Sequence, residues 1–184
     1  NRLCVYELAT GKKNYVSEKF DSSVEGFVWN KDNKSLSFIG VWHGTLNLYQ
    51  ANFKGEVKQI TNEWADYGSI SLANNGNKLL ATKASMSHPT DIYIVTPGKD
   101  AKSTKVEQIT RENDHILNQL NLGKCEQRWV KTTDGKQMLV WIMLPSNFDA
   151  NKKYPTLLFC EGGPQSPVSQ FWSYRWNIQI MAAN

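Results

Sequence analysis

The sequence lacks several features that would assign it to common classes. No apolar run reaches the roughly 18 residues that a membrane-spanning helix needs. It has only three cysteines and no Cys-x-x-Cys pair, which argues against a zinc site and a dithiol redox motif. The net charge is +4 at pH 7, but no block of about five like charges occurs, so a nucleic-acid-binding surface is not predicted. The sequence thus predicts no membrane span, no nucleic-acid partner, no metal and no cofactor.

The composition is otherwise that of an ordinary globular protein and is rich in aromatic residues. Hydrophobic residues make up 40% and charged residues 21% of the 184 positions, so one or two domains with a sizeable core are expected. Seven Trp, seven Tyr and seven Phe favour strands. Cys4, Cys125 and Cys160 are far apart, and we expect three buried free thiols, although the sequence leaves a single disulfide open.

Three sequence elements recur along the first two-thirds of the chain. Tyr6, Tyr49 and Tyr93 are 43 and 44 residues apart and lie in similar short apolar runs. Two further elements repeat at nearly the same period, and a polar insertion at 97–104 lengthens the second repeat. The matched segments are 3–8, 46–51 and 91–95; 26–38 and 68–81; and 57–61 and 106–110.

Each period holds about four short strands joined by Asn, Asp and Gly turns. A period near 43 with four strands is typical of a β-propeller blade, and a β-sandwich with irregular spacing is the alternative. About two and a half blades are present, and no Gly-His…Trp-Asp pair recurs as it would in WD40 repeats. We therefore predict a mostly β chain whose residues 1–114 form part of a β-propeller.

The pattern changes after Asp114. Residues 115–124 are predicted to be a linker or a turn of helix. Two apolar runs at 125–132 and 137–144 then flank Asp134-Gly135, a strong hairpin signal, and Pro145 should end the second strand because it offers no N–H.

A second apolar run, 155–160, predicts a strand buried on both faces, as in the parallel sheet of an α/β domain. It breaks into Gly162-Gly163-Pro164. Further on, Trp172, Trp176 and Ile180 are spaced by four and would share one helical face, which we interpret as helix core. Residues 125–184 are accordingly predicted to be the first strands and helix of an α/β-hydrolase domain.

The order of these features resembles the S9 prolyl oligopeptidase family: blades, an Asp-Gly hairpin, a strand and then Gly-Gly-Pro. Residues 154–184 are similar to the bacterial dipeptidyl-peptidase 5 and acylaminoacyl-peptidase branches of that family, through Phe159–Ser166 and Phe171–Asn177. The resemblance implies a serine peptidase acting on short peptides through an acyl-enzyme. It also implies a periplasmic or exported location, and it leaves a homo-oligomer open.

The resemblance implies that the oxyanion loop is Glu161, Gly162 and Gly163, whose backbone N–H groups would face the scissile carbonyl. No Gly-x-Ser-x-Gly elbow occurs in the chain. Because the triad order in this fold is Ser, Asp, His, all three members are expected after Asn184, and this chain should be inactive alone. His43, His88 and His115 are expected to be surface or turn residues.

Glu161 departs from relatives that have His or Tyr at this position. A carboxylate donates no hydrogen bond unless it is protonated, so no side-chain oxyanion donor is expected here. Glu161 would instead bind a substrate ammonium group, or serve as a structural hydrogen-bonding residue. A non-catalytic binding module and an α/β-hydrolase esterase are the other functions that the sequence allows.

Overall fold

The computed structural model describes residues 1–74, 77–160, 162 and 166–183, and it is mostly β. Its strands form a two-stranded hairpin, an eight-stranded sheet and a second hairpin. The strands are β1 Cys4–Tyr6, β2 Lys13–Tyr15, β3 Val24–Trp29, β4 Ser35–Trp42, β5 Thr45–Asn52, β6 Val57–Gln59, β7 Asp66–Leu72, β8 Leu79–Ser85, β9 His88–Thr96, β10 Lys105–Gln108, β11 Lys124–Lys131 and β12 Gln137–Leu144; the helices are α1 Asp114–Leu117 and α2 Ile178–Ala183.

The large sheet consists of two antiparallel four-stranded units. Unit one is β3–β6 and unit two is β7–β10, and within each unit every strand pairs antiparallel with its sequence neighbour. Among the described residues, one parallel bridge, between Leu46 of β5 and Asp66 of β7, joins the units. The predicted four strands per period are therefore present in both.

A repeated hydroxyl contact closes each unit. The Thr61 hydroxyl accepts from the Leu48 N–H at 2.9 Å, and the Thr110 hydroxyl accepts from the Ile92 N–H at 2.9 Å. In the first hairpin, the Ser17 hydroxyl accepts from the Leu3 N–H at 2.8 Å. The contact thereby identifies equivalent residues in the three repeats.

These equivalences correct part of the predicted repeat. Tyr49 and Tyr93 are equivalent, as predicted, because each directly follows the residue whose N–H binds the threonine hydroxyl. The first repeat was aligned two residues out of register, and Cys4 rather than Tyr6 occupies this position. A shift of two keeps side chains on the same face, so the hydrophobic pattern could not reveal it. Tyr6 is 54% exposed, whereas Tyr49 is 6% exposed.

The core has two layers, one on each face of unit one. Phe38 and Tyr49 pack toward the first hairpin, while Ile39 and Leu48 pack toward unit two. Successive strand residues point to opposite faces, so β4 and β5 each supply both layers. Residues 35–40 are accordingly buried without interruption.

The Asp-Gly hairpin is confirmed. Strands β11 and β12 pair over their whole length, from Lys124↔Leu144 to Lys131↔Gln137. Gly135 has φ 82°, and its N–H donates to Thr132 O at 3.0 Å. A left-handed glycine after such a turn is typical of a three-residue hairpin loop. Strand β12 ends immediately before Pro145, as predicted.

The predicted buried strand at 155–160 is wrong. These residues have no strand structure, and Leu157 and Leu158 are 70% and 81% exposed. A strand requires a hydrogen-bonded neighbour, and among the described residues β11 and β12 pair only with each other. The apolar run therefore has no ladder to join within the described part of the chain.

The predicted helical face of three residues is also wrong. Helix α2 begins only at Ile178, because the Asn177 side chain accepts from the Gln179 N–H at 2.9 Å in the manner of an N-cap. Upstream, the Ser173 hydroxyl accepts from the Trp176 N–H at 2.9 Å, a local bond that competes with helix. Trp176 and Ile180 are exposed rather than part of a core.

Of the remaining predictions, some are confirmed and one is wrong. The turn of helix predicted in the linker is α1. All three cysteines are free, as expected, but Cys4 and Cys160 are exposed and Cys125 is only partly buried, so the predicted burial is wrong. Among the described residues, no helix has the length and apolarity to cross a bilayer.

Gly40 provides a test of the two-layered core. A Cβ at this position would lie 2.5 Å from Phe20 Cζ and 2.7 Å from Tyr49 Cδ2, both in buried rings. We expect Gly40→Ala to lower the free energy of unfolding by about 1–3 kcal/mol through overpacking, measured by urea denaturation. Gly26→Ala in the adjacent strand is the control, since its Cβ would meet only Ile39 Cδ1 at 3.6 Å. Equal stability of the two variants would contradict the packing described.

Candidate functional site

The predicted oxyanion loop is only partly covered by the structure. Glu161 and Gly163 lie outside the described residues. Gly162 is described and exposed, and a Cβ placed on it would have no neighbour within 4 Å. Packing against the described residues therefore does not explain why position 162 is a glycine.

The segment that follows this loop lies on the large sheet. We call residues 166–170 the junction segment. Its Ser169 hydroxyl donates to Asp66 Oδ2 at 2.6 Å, and the Gln170 N–H donates to Asp66 Oδ1 at 3.2 Å. Asp66 Oδ1 also accepts from the Leu46 N–H at 3.2 Å. One carboxylate thus joins the start of β7, strand β5 and the junction segment.

Burial and hydrogen bonding shift the pKa of the Asp66 carboxyl group in opposite directions. Desolvation by burial raises the pKa of the carboxyl group, and the three donors oppose this because they stabilise the ionised form. The net direction is upward. Sequence inspection gave no indication of this residue, because its partners in the junction segment lie 103 and 104 positions away.

Gln170 continues the contact toward the second hairpin. It is 2% exposed, its Oε1 accepts from the Met86 N–H at 3.4 Å, and its Nε2 contacts Cys125 Sγ at 3.6 Å. Burial raises the pKa of the Cys125 thiol. The Gln170 side chain therefore connects the β8–β9 turn with strand β11.

Gln179 makes a similar connection from helix α2. It is 5% exposed, and its Oε1 accepts from the Gly123 N–H at 2.7 Å. Its Nε2 donates to Ser87 Oγ at 2.9 Å and to Gly123 O at 3.2 Å. Asp66, Gln170 and Gln179 together form a polar junction network between the large sheet and the residues that follow it.

Aromatic contacts hold the second hairpin against the same side of the sheet. The Trp64 and Trp141 rings meet edge to face at 5.3 Å between centroids, and His43 meets Trp129 at 5.2 Å. Gly44 allows this approach: its φ is 67°, and a Cβ there would lie 2.7 Å from Trp141 Nε1 and 3.2 Å from Val168 O.

Two cavities lie near this junction. The junction cavity, of about 350 Å³, lies between the large sheet and the junction segment, and Leu46, Tyr67, Ser166 and Ser169 are among its lining residues. The second cavity, of about 370 Å³, is lined by residues that include Trp64, Lys83, His88 and Tyr93. Both volumes lie in the range of small-ligand pockets.

The charges of the second cavity are paired. Glu63 Oε1 lies 3.1 Å from Lys83 Nζ, and Glu63 Oε2 accepts from the Tyr67 hydroxyl at 2.5 Å. Lys83 Nζ also lies 4.2 Å from the Tyr93 ring centroid. Burial raises the pKa of Tyr67, and the neighbouring Glu63 adds to the effect, so the hydroxyl stays protonated as a donor.

His88 has a different position from the one predicted. His43 is in the β4–β5 turn and His115 is exposed on α1, as expected, but His88 begins β9. Its Nε2 lies 3.5 Å from Asp114 Oδ1 and its Nδ1 3.9 Å from Asp91 Oδ2. One ligand atom from each of these residues lies within 4.8 Å of the others, a grouping that could hold a metal ion.

Asp91 and His88 of this group also have other protein partners, and Asp114 Oδ2 lies 3.7 Å from Arg111 Nε. Asp91 accepts from Gln108 Nε2 at 3.1 Å and from the Thr110 hydroxyl at 2.5 Å, while His88 Nδ1 lies 2.8 Å from Pro89 O. His88 and Asp91 are three residues apart, but no sequence spacing pointed to Asp114.

Comparison with known proteins finds peptidases among the relatives. The chain is 44% identical over 182 residues to dipeptidyl-peptidase 5 of Porphyromonas gingivalis, covering 98% of this chain and 26% of that protein. It is 46% identical over 151 residues to dipeptidyl-peptidase 5 of Porphyromonas endodontalis, covering 82% of this chain and 21% of that protein. No protein-family model matches the sequence. The chain spans about a quarter of the length of these relatives.

Solved structures share the fold. An acylaminoacyl peptidase in complex with Z-Gly-Gly-Phe-chloromethyl ketone superposes with a TM-score of 0.77 at 20% identity, over 98% of this chain and 26% of that one. Dipeptidyl peptidase 4 of Porphyromonas gingivalis superposes with a TM-score of 0.69 at 18% identity, over the same shares. At these identities the likeness concerns the fold alone.

The two dipeptidyl-peptidase 5 relatives place the chain in the S9 prolyl oligopeptidase family of peptidases, as the sequence resemblance predicted. Within that family, it is similar to a segment of the two dipeptidyl-peptidase 5 proteins.

Thiol reactivity tests the junction network. Cys4 and Cys160 are exposed, whereas Cys125 is partly buried, contacts Gln170 and has a raised pKa. We expect Cys125 to react with iodoacetamide at least about tenfold more slowly than the other two in the folded chain, because the thiolate is the nucleophile. Peptide mass spectrometry would measure the rates, with the urea-unfolded chain as the control. Equal rates in the folded chain would contradict the described environment.

Proposed function

We propose that the protein containing this chain is a serine-type exopeptidase or oligopeptidase of dipeptidyl-peptidase type. It would hydrolyse short peptides through an acyl-enzyme. The observation that carries this proposal is the match, along nearly the whole chain, to the dipeptidyl-peptidase 5 of Porphyromonas gingivalis. No metal or cofactor takes part in the proposed chemistry.

The proposal includes a division of the chain. Residues 1–114 would be the C-terminal part of a β-propeller, with units one and two as blades. Residues 115–124 would be the linker, and 125–184 the first part of an α/β-hydrolase domain. Two antiparallel four-stranded units related by a repeated hydroxyl contact support the blades. The fully paired hairpin after the linker supports the start of the second domain.

The chain would contribute electrostatic stabilisation to the reaction. Attack on the scissile carbonyl puts negative charge on its oxygen, and backbone N–H groups at Glu161, Gly162 and Gly163 would donate to it. Removing one such donor typically costs about 3–4 kcal/mol of transition-state stabilisation. The serine, aspartate and histidine that form and break the acyl-enzyme would follow Asn184, in the order that this fold uses.

Short peptides are proposed as the substrate class on the similarity to dipeptidyl-peptidase 5. The junction cavity lies between the large sheet and the segment that follows the proposed oxyanion loop. We further propose a periplasmic or exported location, on the family resemblance.

A direct assay tests this function. We expect the full-length protein to release chromophore from dipeptidyl-p-nitroanilides and to react once per molecule with a serine-directed phosphonate. The 184-residue chain alone should show neither activity, since the nucleophile would lie beyond it. Stoichiometric labelling of the isolated chain would contradict the assignment of the triad to later residues.

The same assay separates two other functions. A full-length protein that binds peptides but is not labelled by phosphonate would be a non-catalytic binding module. One that hydrolyses simple esters but not peptidyl anilides would be an esterase, because one fold supports several chemistries.

Glu161 offers a second test. If its carboxylate binds the substrate ammonium group, Glu161→Gln in the full-length protein should raise KM for dipeptidyl substrates by about tenfold, because a charge-assisted bond is lost. N-acylated substrates, which carry no ammonium group, are the control and should be unaffected. An unchanged KM for both would assign Glu161 a structural role.

A further inference from the structure

We propose that His88, Asp91 and Asp114 form a binding site for a divalent transition-metal ion such as Zn²⁺. The ion would hold the segment just before the predicted linker against strand β9, and it would take no part in the peptidase chemistry proposed above. The three ligands are all described residues, and the site does not depend on the peptidase function.

The three side chains come from two parts of the chain that the fold brings together. His88 and Asp91 lie in β9, whereas Asp114 is the first residue of α1. The sequence did not predict this site, because Asp114 lies far from the other two in the chain. One ligand atom from each residue lies within 4.8 Å of the others. Zinc bonds to nitrogen and oxygen are about 2.0–2.2 Å long, so ligand atoms of one ion lie roughly 3–4 Å apart. Small side-chain rotations would therefore close the group around an ion.

Asp91 is a buried carboxylate without a permanently charged partner. It is 2% exposed, and its donors Gln108 Nε2 and the Thr110 hydroxyl are neutral. Within the described ranges, the only basic group within 4.0 Å of its carboxylate is His88, at 3.9 Å. Buried charges are normally paired or coordinate metals, and a carboxylate has about four lone-pair sites. The Asp91 carboxylate can therefore accept a further cation, and that cation would offset the cost of its desolvation.

The tautomer of His88 leaves one ring nitrogen available to bind an ion. Nδ1 lies 2.8 Å from Pro89 O, and a carbonyl oxygen only accepts, so Nδ1 carries the proton in this arrangement. In the neutral ring Nε2 is then a lone-pair atom, and it faces Asp114 Oδ1 at 3.5 Å. Two acceptors face each other here, and a cation between them would stabilise the pair. Metal-binding histidines commonly donate their other ring N–H to a backbone carbonyl in this way.

The other partners of the group leave its ligand atoms accessible. Arg111 Nε contacts Asp114 Oδ2, whereas Oδ1 is the oxygen that faces His88. The two neutral donors of Asp91 hold its carboxylate in place, as outer-shell partners of metal-binding carboxylates do. His88 is partly exposed and lines the second cavity. An ion and its water ligands can therefore reach the group from that cavity.

The donor set selects the class of ion. Imidazole nitrogen suits Zn²⁺ and other first-row transition ions, whereas Mg²⁺ and Ca²⁺ prefer oxygen ligands. Two carboxylates would balance the charge of a divalent ion. Three protein ligands with a water in the fourth position are a common zinc arrangement. Among the described residues, the group contains no cysteine, so its ligands would be nitrogen and oxygen only.

Zinc titration of the untagged full-length protein tests the site. After treatment with EDTA and removal of the chelator, we expect calorimetry near neutral pH to show a Zn²⁺ site that depends on His88. His88→Gln and Asp114→Asn should each weaken Zn²⁺ binding by at least about tenfold, because even loss of an outer-shell partner typically costs 10–100-fold. Asp114 is partly exposed, so Asp114→Asn decides the outcome should His88→Gln fail to fold.

His115→Gln is the matched control. His115 is exposed and directly follows Asp114, so this variant removes a neighbouring imidazole that is not in the group, and it should keep wild-type affinity. Zinc K-edge absorption of the loaded wild type should show one imidazole nitrogen and oxygen ligands at about 2.0–2.2 Å, with no sulfur at about 2.3 Å. Zn²⁺ should also raise the melting temperature of the wild type and of His115→Gln, but not that of Asp114→Asn.

Four results would overturn the proposal. They are no Zn²⁺ binding to the wild-type protein, equal affinity of the wild type and Asp114→Asn, a sulfur ligand in the absorption spectrum, and tighter binding of Ca²⁺ or Mg²⁺ than of Zn²⁺. The first of these would leave a proton as the cation between His88 and its carboxylates. None of the measurements involves peptide hydrolysis, so each outcome stands whether or not the protein is a peptidase.

Discussion

The alternation of side chains along β4 and β5 is the constraint on which the rest of the structure depends. Because Phe38 and Ile39 point to opposite faces, unit one is covered by the first hairpin on one side and by unit two on the other. A one-residue slip in register would exchange the side chains of the two faces, so the two different core layers specify the register. The positions of Asp66 and of the turns that carry the later segments follow from this fixed layer.

The hydroxyl contacts recur in the same repeats as the apolar strand residues. A serine or threonine after the last strand of each repeat accepts from a backbone N–H, which belongs to β5 in unit one, to β9 in unit two and to Leu3, just before β1, in the first hairpin. In two repeats an Asn or Asp within that strand, Asn47 or Asp91, accepts a hydrogen bond from the same hydroxyl. Such buried pairs satisfy groups that would otherwise be costly to bury, and they define where one unit ends and the next begins.

The periodicity of the sequence predicted strands correctly where the pairing partner lies close by in the chain. The four strands per unit and the Asp134-Gly135 hairpin depend on local pairing, and both were predicted. The strand at 155–160 was not found, since a buried strand depends on neighbours as well as on its own apolar residues. Tyr6 was misaligned because a two-residue shift leaves the pattern of faces unchanged.

The candidate site was less predictable than the fold for a related reason. The oxyanion role of Gly162 was predicted from a family motif and stays a prediction, whereas Asp66, Gln170 and Gln179 are single polar residues whose partners lie far along the chain. Their roles appear only when the sheet brings the β8–β9 turn, Gly123 and the junction segment together. His88 likewise gains its carboxylate partners only through the fold.

The junction network contains two neutral amides and one carboxylate. Salt weakens exposed ion pairs by screening, but it has little effect on hydrogen bonds between uncharged, buried groups. Gln170 and Gln179 therefore connect the sheet to the later segments in a way that is largely independent of ionic strength. A protein joined in this manner can keep the relative placement of its parts in media of very different salt content.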